Sequence, residues 1–265
     1  MRADSTRKRT RRAPLTKAPR VAVLIPCFNE EATIGKVVRD FRTALPGAEV
    51  YVYDNNSTDH TREAAEHAGA RIGTETRQGK GHVIQTMFRD VEADVYVLVD
   101  GDDTYSARDV GRLIEPIVQG RADLVVGGRL HIHSRAAFRP LHRFGNFMFT
   151  TMFNVLFRAR LTDMLSGYRA LTRELVKSIH LRSGGFDIET EITIRTIESG
   201  YHVLEIELPY GERPDGSQSK LRTLPDGFRV LRRMFVAGRK GRLRAITAAV
   251  LLLIMTAAFL ASFLR

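Results

Sequence analysis

From Arg20 to Gly128 the chain repeats one unit: a short apolar, β-branched run, a polar turn, then an amphipathic stretch. The runs are RVAVLIP (20–26), AEVYVYD (48–54), ARIGTE (70–75), ADVYVLVD (93–100) and ADLVVGG (122–128). EATIGKVVRDFRTAL follows the first, with Ile34, Val37, Val38 and Phe41 at helical spacing. STDHTREAAEHAG has a Ser/Thr/Asp start and a Gly stop, and GKGHVIQTMFRDV and SARDVGRLIEPIVQG complete the series, the last starting near Ser106. Units of this length predict an α/β protein, a three-layer, mainly parallel sheet with helices on both faces. Ligands of such sheets sit beyond the carboxyl ends of the strands. The chemistry is therefore sought in PCFNEE, DNNSTD, DGDDTY and GGR. Neither G-x-G-x-x-G nor G-x-x-x-x-G-K-[ST] follows the first run, which sets aside dinucleotide oxidoreductases and P-loop hydrolases.

Asp100, Asp102 and Asp103 leave one strand together, although like charges repel. Asp100 and Asp102 can converge on a hard divalent cation whose other ligands are water and phosphate oxygens. An Asx-rich turn explains a single Asp here, and Asp103 or Thr104 can still serve as a helix cap.

The formal charge of +11 invites a nucleic-acid reading, so its distribution matters. Residues 1–20 hold eight Lys/Arg and one Asp, and residues 213–244 hold ten and two. The rest carries 23 basic and 27 acidic groups, so the body is mildly acidic and no nucleic-acid partner is expected. The last basic stretch runs into residues 245–264, twenty without a charge, enough for about 30 Å of helix and one bilayer crossing. Arg239, Lys240, Arg242 and Arg244 precede it and only Arg265 follows, which places the body on the cytoplasmic side of the cell membrane. The expected layout is a disordered polybasic arm (1–18), a catalytic body (19–235), a basic linker (236–244) and a transmembrane helix (245–264). The single Cys27 fits a reducing compartment.

VAVLIPCFNEEATIG, YDNNSTDHT, GKG, VDGDD, SGYRA and GERPDGSQSKL stand in the order found in family-2 glycosyltransferases of GT-A fold. The chain most resembles the branch that moves sugars to polyprenyl phosphates, such as dolichyl-phosphate mannose synthase. The resemblance implies that Pro26, Asn29, Glu30 and Asp54 contact the nucleoside of the donor and that Lys80 lies near its base or diphosphate. It implies Mg²⁺ or Mn²⁺ on Asp100 and Asp102, with Asp102 catalytic. Where some relatives have a Gln as third ligand this chain has Thr104, leaving Asp103 or water for that place. It also makes Arg213, Ser219 and Lys220 donor contacts from a loop over the diphosphate.

Between Arg129 and Thr162 stand six Arg, three His, no acid, and interleaved Phe138, Phe144, Phe147, Phe149, Phe153 and Phe157. Residues 129–160 suit a membrane interface, with an ordinary core helix and a solvated basic face as the alternative. By resemblance Arg129 and Arg143 hold the acceptor phosphate and assist departure of the diphosphate. Ser166 and Arg169 join the acceptor site, and Asp163, a catalytic candidate with Arg129 and Arg143, orients arginines or the acceptor, with a turn cap as the alternative. Glu189 and Glu191 also lie early in a helix, where its dipole alone favours acids.

The implied reaction is inverting transfer of a hexose from GDP-mannose or UDP-glucose to a polyprenyl phosphate. Charge grows on the departing diphosphate, so cations should supply most of the stabilisation. A phosphate acceptor, largely ionised near neutral pH, needs no strong base. Two other classes remain: a transferase acting on a sugar hydroxyl or glycolipid, which requires a carboxylate base, and a non-catalytic nucleotide-sugar-binding module. Self-association is left open.

Overall fold

The structure is a computed structural model that describes residues 12–130, 140–214, 220 and 223–237. Seven strands form one sheet: β1 (Val21–Cys27), β2 (Glu49–Asp54), β3 (Arg71–Thr74), β4 (Val95–Leu98), β5 (Leu124–Leu130), β6 (Arg169–Thr172) and β7 (Val203–Pro209). The helices are α1 (Glu31–Ala44), α2 (Thr61–His67), α3 (Lys80–Asp90), α4 (Val110–Val118), α5 (Pro140–Phe157), α6 (Arg173–Ser178), α7 (Ile188–Glu198) and α8 (Thr223–Ala237).

The strand order is β3-β2-β1-β4-β6-β5-β7. β6 alone runs antiparallel, between β4 and β5. The sheet is three-layered because alternate strand residues serve opposite faces. Val23, Ile25, Val50, Val52, Val95 and Val97 meet Ile34, Val38 and Phe41 of α1 and Leu113 and Ile117 of α4. Ala22, Leu24, Tyr96 and Leu98 meet Ile84 and Met87 of α3 and Ile188 and Ile192 of α7. Strands covered on both faces read as unbroken apolar runs, as β1 and β4 do.

A third core forms beside the sheet, touching it at Val203 of β7. Met152, Phe153 and Leu156 of α5 pack with Ile194 of α7 and Val230 and Met234 of α8. Within the segment 129–160 expected at a membrane interface, Phe153 is instead fully buried and Phe149 and Phe157 pack against the same cluster, while residues 131–139 lie outside the described residues. Only Phe147 among the described phenylalanines of this segment is exposed.

Two boundaries also move. Residues 12–18 of the expected arm lie on the body: Leu15 N–H donates to Val118 O at 2.8 Å and Arg12 pairs with Glu174 at 2.7 Å. A 3₁₀ turn at Ala107–Asp109 precedes α4, so that helix starts later than Ser106. No described helix is long and apolar enough to cross a membrane. The expected crossing at 245–264 lies outside the described residues, as do residues 1–11 and most of the basic linker.

Candidate active site

The strand order reverses between β1 and β4, and such a reversal opens a crevice at the carboxyl ends of the strands. Parallel β1, β2, β4, β5 and β7 all leave the sheet at that edge, where antiparallel β6 enters. The exits carry Asn29–Glu30, Asp54, Asp100–Asp102, Arg129 and Tyr210–Arg213.

Beside β1 and β2 the loops brace one another. Asn29, with φ 53°, accepts Thr58 N–H on Oδ1 at 2.8 Å, a left-handed turn that Asn tolerates better than most residues. Asp54 is buried and accepts Ser57 N–H at 3.3 Å, and Pro26 lies half-buried in β1 beside it. Glu30 is buried and receives Lys220 Nζ at 2.7 Å, with Arg213 at 3.8 Å. The loop after β7 therefore reaches back across the cleft.

At the exit of β4, Lys80 Nζ meets Asp100 Oδ1 at 2.5 Å and Glu189 Oε1 at 2.5 Å. Burial alone would lower the lysine pKa, but the two carboxylates outweigh it and raise the value. Burial pushes Asp100 up, yet the charge and hydrogen bond of Lys80 prevail and hold it below the usual carboxylate range. Asp102 moves the other way: burial and the neighbouring Asp100 raise it, against the pull of Arg213. Asp102 pairs with Arg213 and accepts Thr104 Oγ1 at 2.6 Å. Gly167 lets β6 approach this exit, since a Cβ there would stand 2.5 Å from Asp100 Oδ2.

Asp103 separates from the pair. It adopts φ 58° and binds Lys36 of α1 at 2.8 Å. It neither caps α4 nor joins Asp100 and Asp102, and Thr104 is likewise spent on Asp102. Among the described residues no cluster of three or more His, Cys, Asp and Glu could hold a metal. The donor set that remains, two carboxylates that raise the cost of each other's charge, fits a hard cation that takes its other oxygens from water and a diphosphate.

On the other side of the cleft, Arg129 meets Asp163 through Nε at 2.5 Å and NH2 at 2.8 Å, and its guanidinium lies 5.4 Å from the Tyr210 ring centroid. Burial would lower the arginine pKa, but Asp163 raises it, so the group stays a fixed cation.

Ser166 and Arg169 do not reach this cleft, contrary to their expected acceptor role. Ser166 is buried, donating to Gly127 O at 2.5 Å. Arg169 has no exposure, and its donors go to Ser166 O at 2.8 Å, Met164 O at 2.7 Å and Thr193 Oγ1 at 2.8 Å. With each of its nitrogens bonded inside the protein and no exposure, this guanidinium is out of reach of a phosphate. Arg143 lies on α5 but its side chain is outside the described residues, and Ser219 is outside them altogether. Glu189 and Tyr210 are the partners that the sequence did not place at the site. The early position of Glu189 in α7 was visible, but its reach to Lys80 depends on how α7 packs.

The family model described as Glycosyl transferase family 2 matches residues 22–179, which hold β1 to β6 and the paired aspartates. The chain belongs to this family. Glycosyltransferase AglJ of Haloferax volcanii is 37% identical over 208 residues, 78% of this chain and 68% of that protein. The dolichyl-phosphate hexose transferase of the same organism is 32% identical over 193 residues, 73% of this chain and 83% of its own length. A crystal structure of glucosyl-3-phosphoglycerate synthase from Mycobacterium tuberculosis with Mn²⁺, uridine diphosphate and phosphoglyceric acid has a TM-score of 0.70. It covers 83% of this chain and 78% of that one at 22% identity, a likeness of fold alone. The chain is thus a family-2 glycosyltransferase built on a mainly parallel α/β sheet of GT-A type.

Proposed function

We propose that this glycosyltransferase moves a hexose from a nucleoside diphosphate sugar to a polyprenyl phosphate, with inversion, at a membrane surface. The observation that carries the reading is how the cleft's acids are engaged. Asp163 is bound by Arg129 and Glu189 by Lys80. A hydroxyl acceptor needs a carboxylate to take its proton, and carboxylates holding cations are poor at that. A phosphate monoester arrives already anionic, with a second pKa of about 6. The cation it needs is Arg129, held at a fixed angle by Asp163 and Tyr210. The dolichyl-phosphate hexose transferase among the relatives supports the same acceptor class.

On the donor side Pro26, Asn29, Glu30 and Asp54 border the place of the nucleoside. Asp100 and Asp102 would hold Mg²⁺ or Mn²⁺, whose chemistry there is to neutralise the departing diphosphate. The fold relatives were solved with Mn²⁺ or Mg²⁺ and uridine diphosphate, which supports that pairing. Lys80 adds fixed positive charge beside Asp100. Arg213 and Lys220, on the loop after β7, bring two more charges that can pass from Asp102 and Glu30 to the diphosphate. Membrane placement draws on Phe147, Phe228 and Val236, 62%, 68% and 61% exposed on α5 and α8, and on the uncharged run at 245–264.

The test is to incubate the purified full chain in detergent with Mg²⁺ or Mn²⁺, radiolabelled GDP-mannose or UDP-glucose, and undecaprenyl or dolichyl phosphate. Label should enter the organic-extractable lipid and be released by mild acid. Label that enters only a water-soluble acceptor such as phosphoglycerate would overturn the lipid reading and leave the donor reading standing.

A further inference from the structure

α8 lies outside the cleft, yet one of its side chains reaches the elements that hold Lys80. Arg233 donates from Nε to Asp187 Oδ2 at 2.9 Å and pairs through NH1 with Glu191 Oε1 at 3.3 Å. Both acids are buried, at 5% and 1% exposure, so the guanidinium offsets charge that water cannot. Arg195 approaches Glu191 at 3.6 Å but is not paired with Asp187.

Asp187 and Glu191 flank Glu189, the partner of Lys80. They also fasten the strap from Arg182 to Asp187. Glu191 Oε2 accepts Arg182 N–H at 2.8 Å and Ser183 N–H at 2.7 Å, while Asp187 binds Ser183 Oγ. The strap in turn lies on the first turn of α3. Gly81 N–H donates to Gly184 O at 3.1 Å, and Gln85 Nε2 donates to Ser183 O at 2.7 Å. The approach is so close that a Cβ on Gly81 would stand 2.1 Å from Ser183 O. Lys80 is therefore held from two sides by parts that Arg233 fastens: its carboxylate partner on α7 and the strap beneath its own helix.

We infer that Arg233 is a positioning residue for Lys80, so that its ion network with Asp187 and Glu191 sets how well the cleft grips the donor diphosphate. The inference rests on the nucleotide-sugar reading of the same cleft and adds a control that none of the cleft residues contains. Its physical basis is that two buried carboxylates without their counter-charge draw apart or recruit water, and the strap and the first turn of α7 move with them. Displacement of a binding group by about 1 Å can cost as much as 10²-fold in rate.

The experiment compares Arg233→Met, Arg233→Lys and Met234→Ala in the full chain in detergent. It reads equilibrium binding of UDP and GDP with Mg²⁺, transfer kinetics and thermal unfolding. Met234 is buried on the same helix but belongs to the apolar core, so its truncation loosens α8 without touching the ion network. Arg233→Met is expected to raise the donor KM and the nucleotide Kd by about tenfold, with the acceptor KM changed by less than about twofold. Arg233→Lys, which keeps the charge but not the fork, should recover part of that loss. Met234→Ala should lower thermal stability and leave the donor KM within about twofold of the parent. An unchanged donor KM in Arg233→Met, or an equal rise in Met234→Ala, overturns the inference while leaving the proposed function intact. If Arg233→Met does not fold, Arg233→Lys decides alone: a raised donor KM at unchanged thermal stability supports positioning, and an unchanged one refutes it. A parent protein that binds neither nucleotide and transfers no sugar overturns the function and the inference with it.

Discussion

The two sides of the cleft hold their charges differently. On the side proposed for the donor, Asp100, Asp102, Glu30 and Glu189 share Lys80, Arg213 and Lys220, cations drawn from α3 and the loop after β7. On the side proposed for the acceptor, Arg129 and Asp163 form one bidentate pair backed by Tyr210. A shared network can exchange partners when a diphosphate and a metal arrive, whereas a bidentate pair can only present the charge it already has. The donor side is thus built to rearrange and the acceptor side to stay still.

The largest break in this contrast should come from Asp102→Asn. Removing one carboxylate of the pair takes away stabilisation of the leaving group, for which a loss of roughly 10²- to 10³-fold in kcat is typical of such groups. Restoration by raised Mn²⁺ would sharpen the metal assignment, and an unchanged product yield in the lipid-extraction assay would end it. Next comes Arg129→Lys, which keeps a positive charge but loses the fork that Asp163 grips. The acceptor KM should rise by about tenfold with the donor KM nearly constant. A rise in both would show that the two sides are not separate.

Acid should also tell the sides apart. Glu75, at the donor-side end of β3, is held down to about 2 by its hydrogen bonds from Arg77, against burial, with Thr86 adding to them. A depressed carboxylate contributes stability above its unfolded value of 4.5, and loses it as pH falls through about 2. Glu205, beneath Thr162 and Asp163 on the acceptor side, is pushed up by burial, so its ionised form opposes folding and protonation relieves it. The stability gap between parent and Glu75→Gln, read from urea midpoints at pH 6, 4 and 3, should narrow with acid. For Glu205→Gln it should widen.

Strand–helix alternation and the polar exits were legible because periods of two and 3.6 are local properties. So were Asp100, Asp102 and Lys80. What was hidden depends on contacts distant in sequence. Arg169 looks like a phosphate ligand until the fold buries it completely among Ser166, Met164 and Thr193. The phenylalanines of α5 looked interfacial because the sequence does not reveal that α7 and α8 cover Phe153. The insertion of antiparallel β6 between β4 and β5, which carries Gly167 to Asp100, follows from no local pattern.

The smallest effect is expected at Asp103, and it is the most discriminating. In sequence it is the neighbour of Asp102 and indistinguishable from a third ligand. In the fold its left-handed backbone turns the carboxylate toward Lys36, a half-exposed lysine that also pairs with Asp40 at 2.7 Å. Exposed pairs of this kind contribute about 0–1 kcal/mol, and Lys36 retains a partner when this one is lost. Asp103→Asn should therefore leave kcat and the Mn²⁺ dependence within about twofold of the parent and shift unfolding by less than about 1 kcal/mol. A loss comparable to Asp102→Asn would mean that Asp103 swings to the metal when the donor binds. The rearranging donor side would then include all three aspartates rather than two.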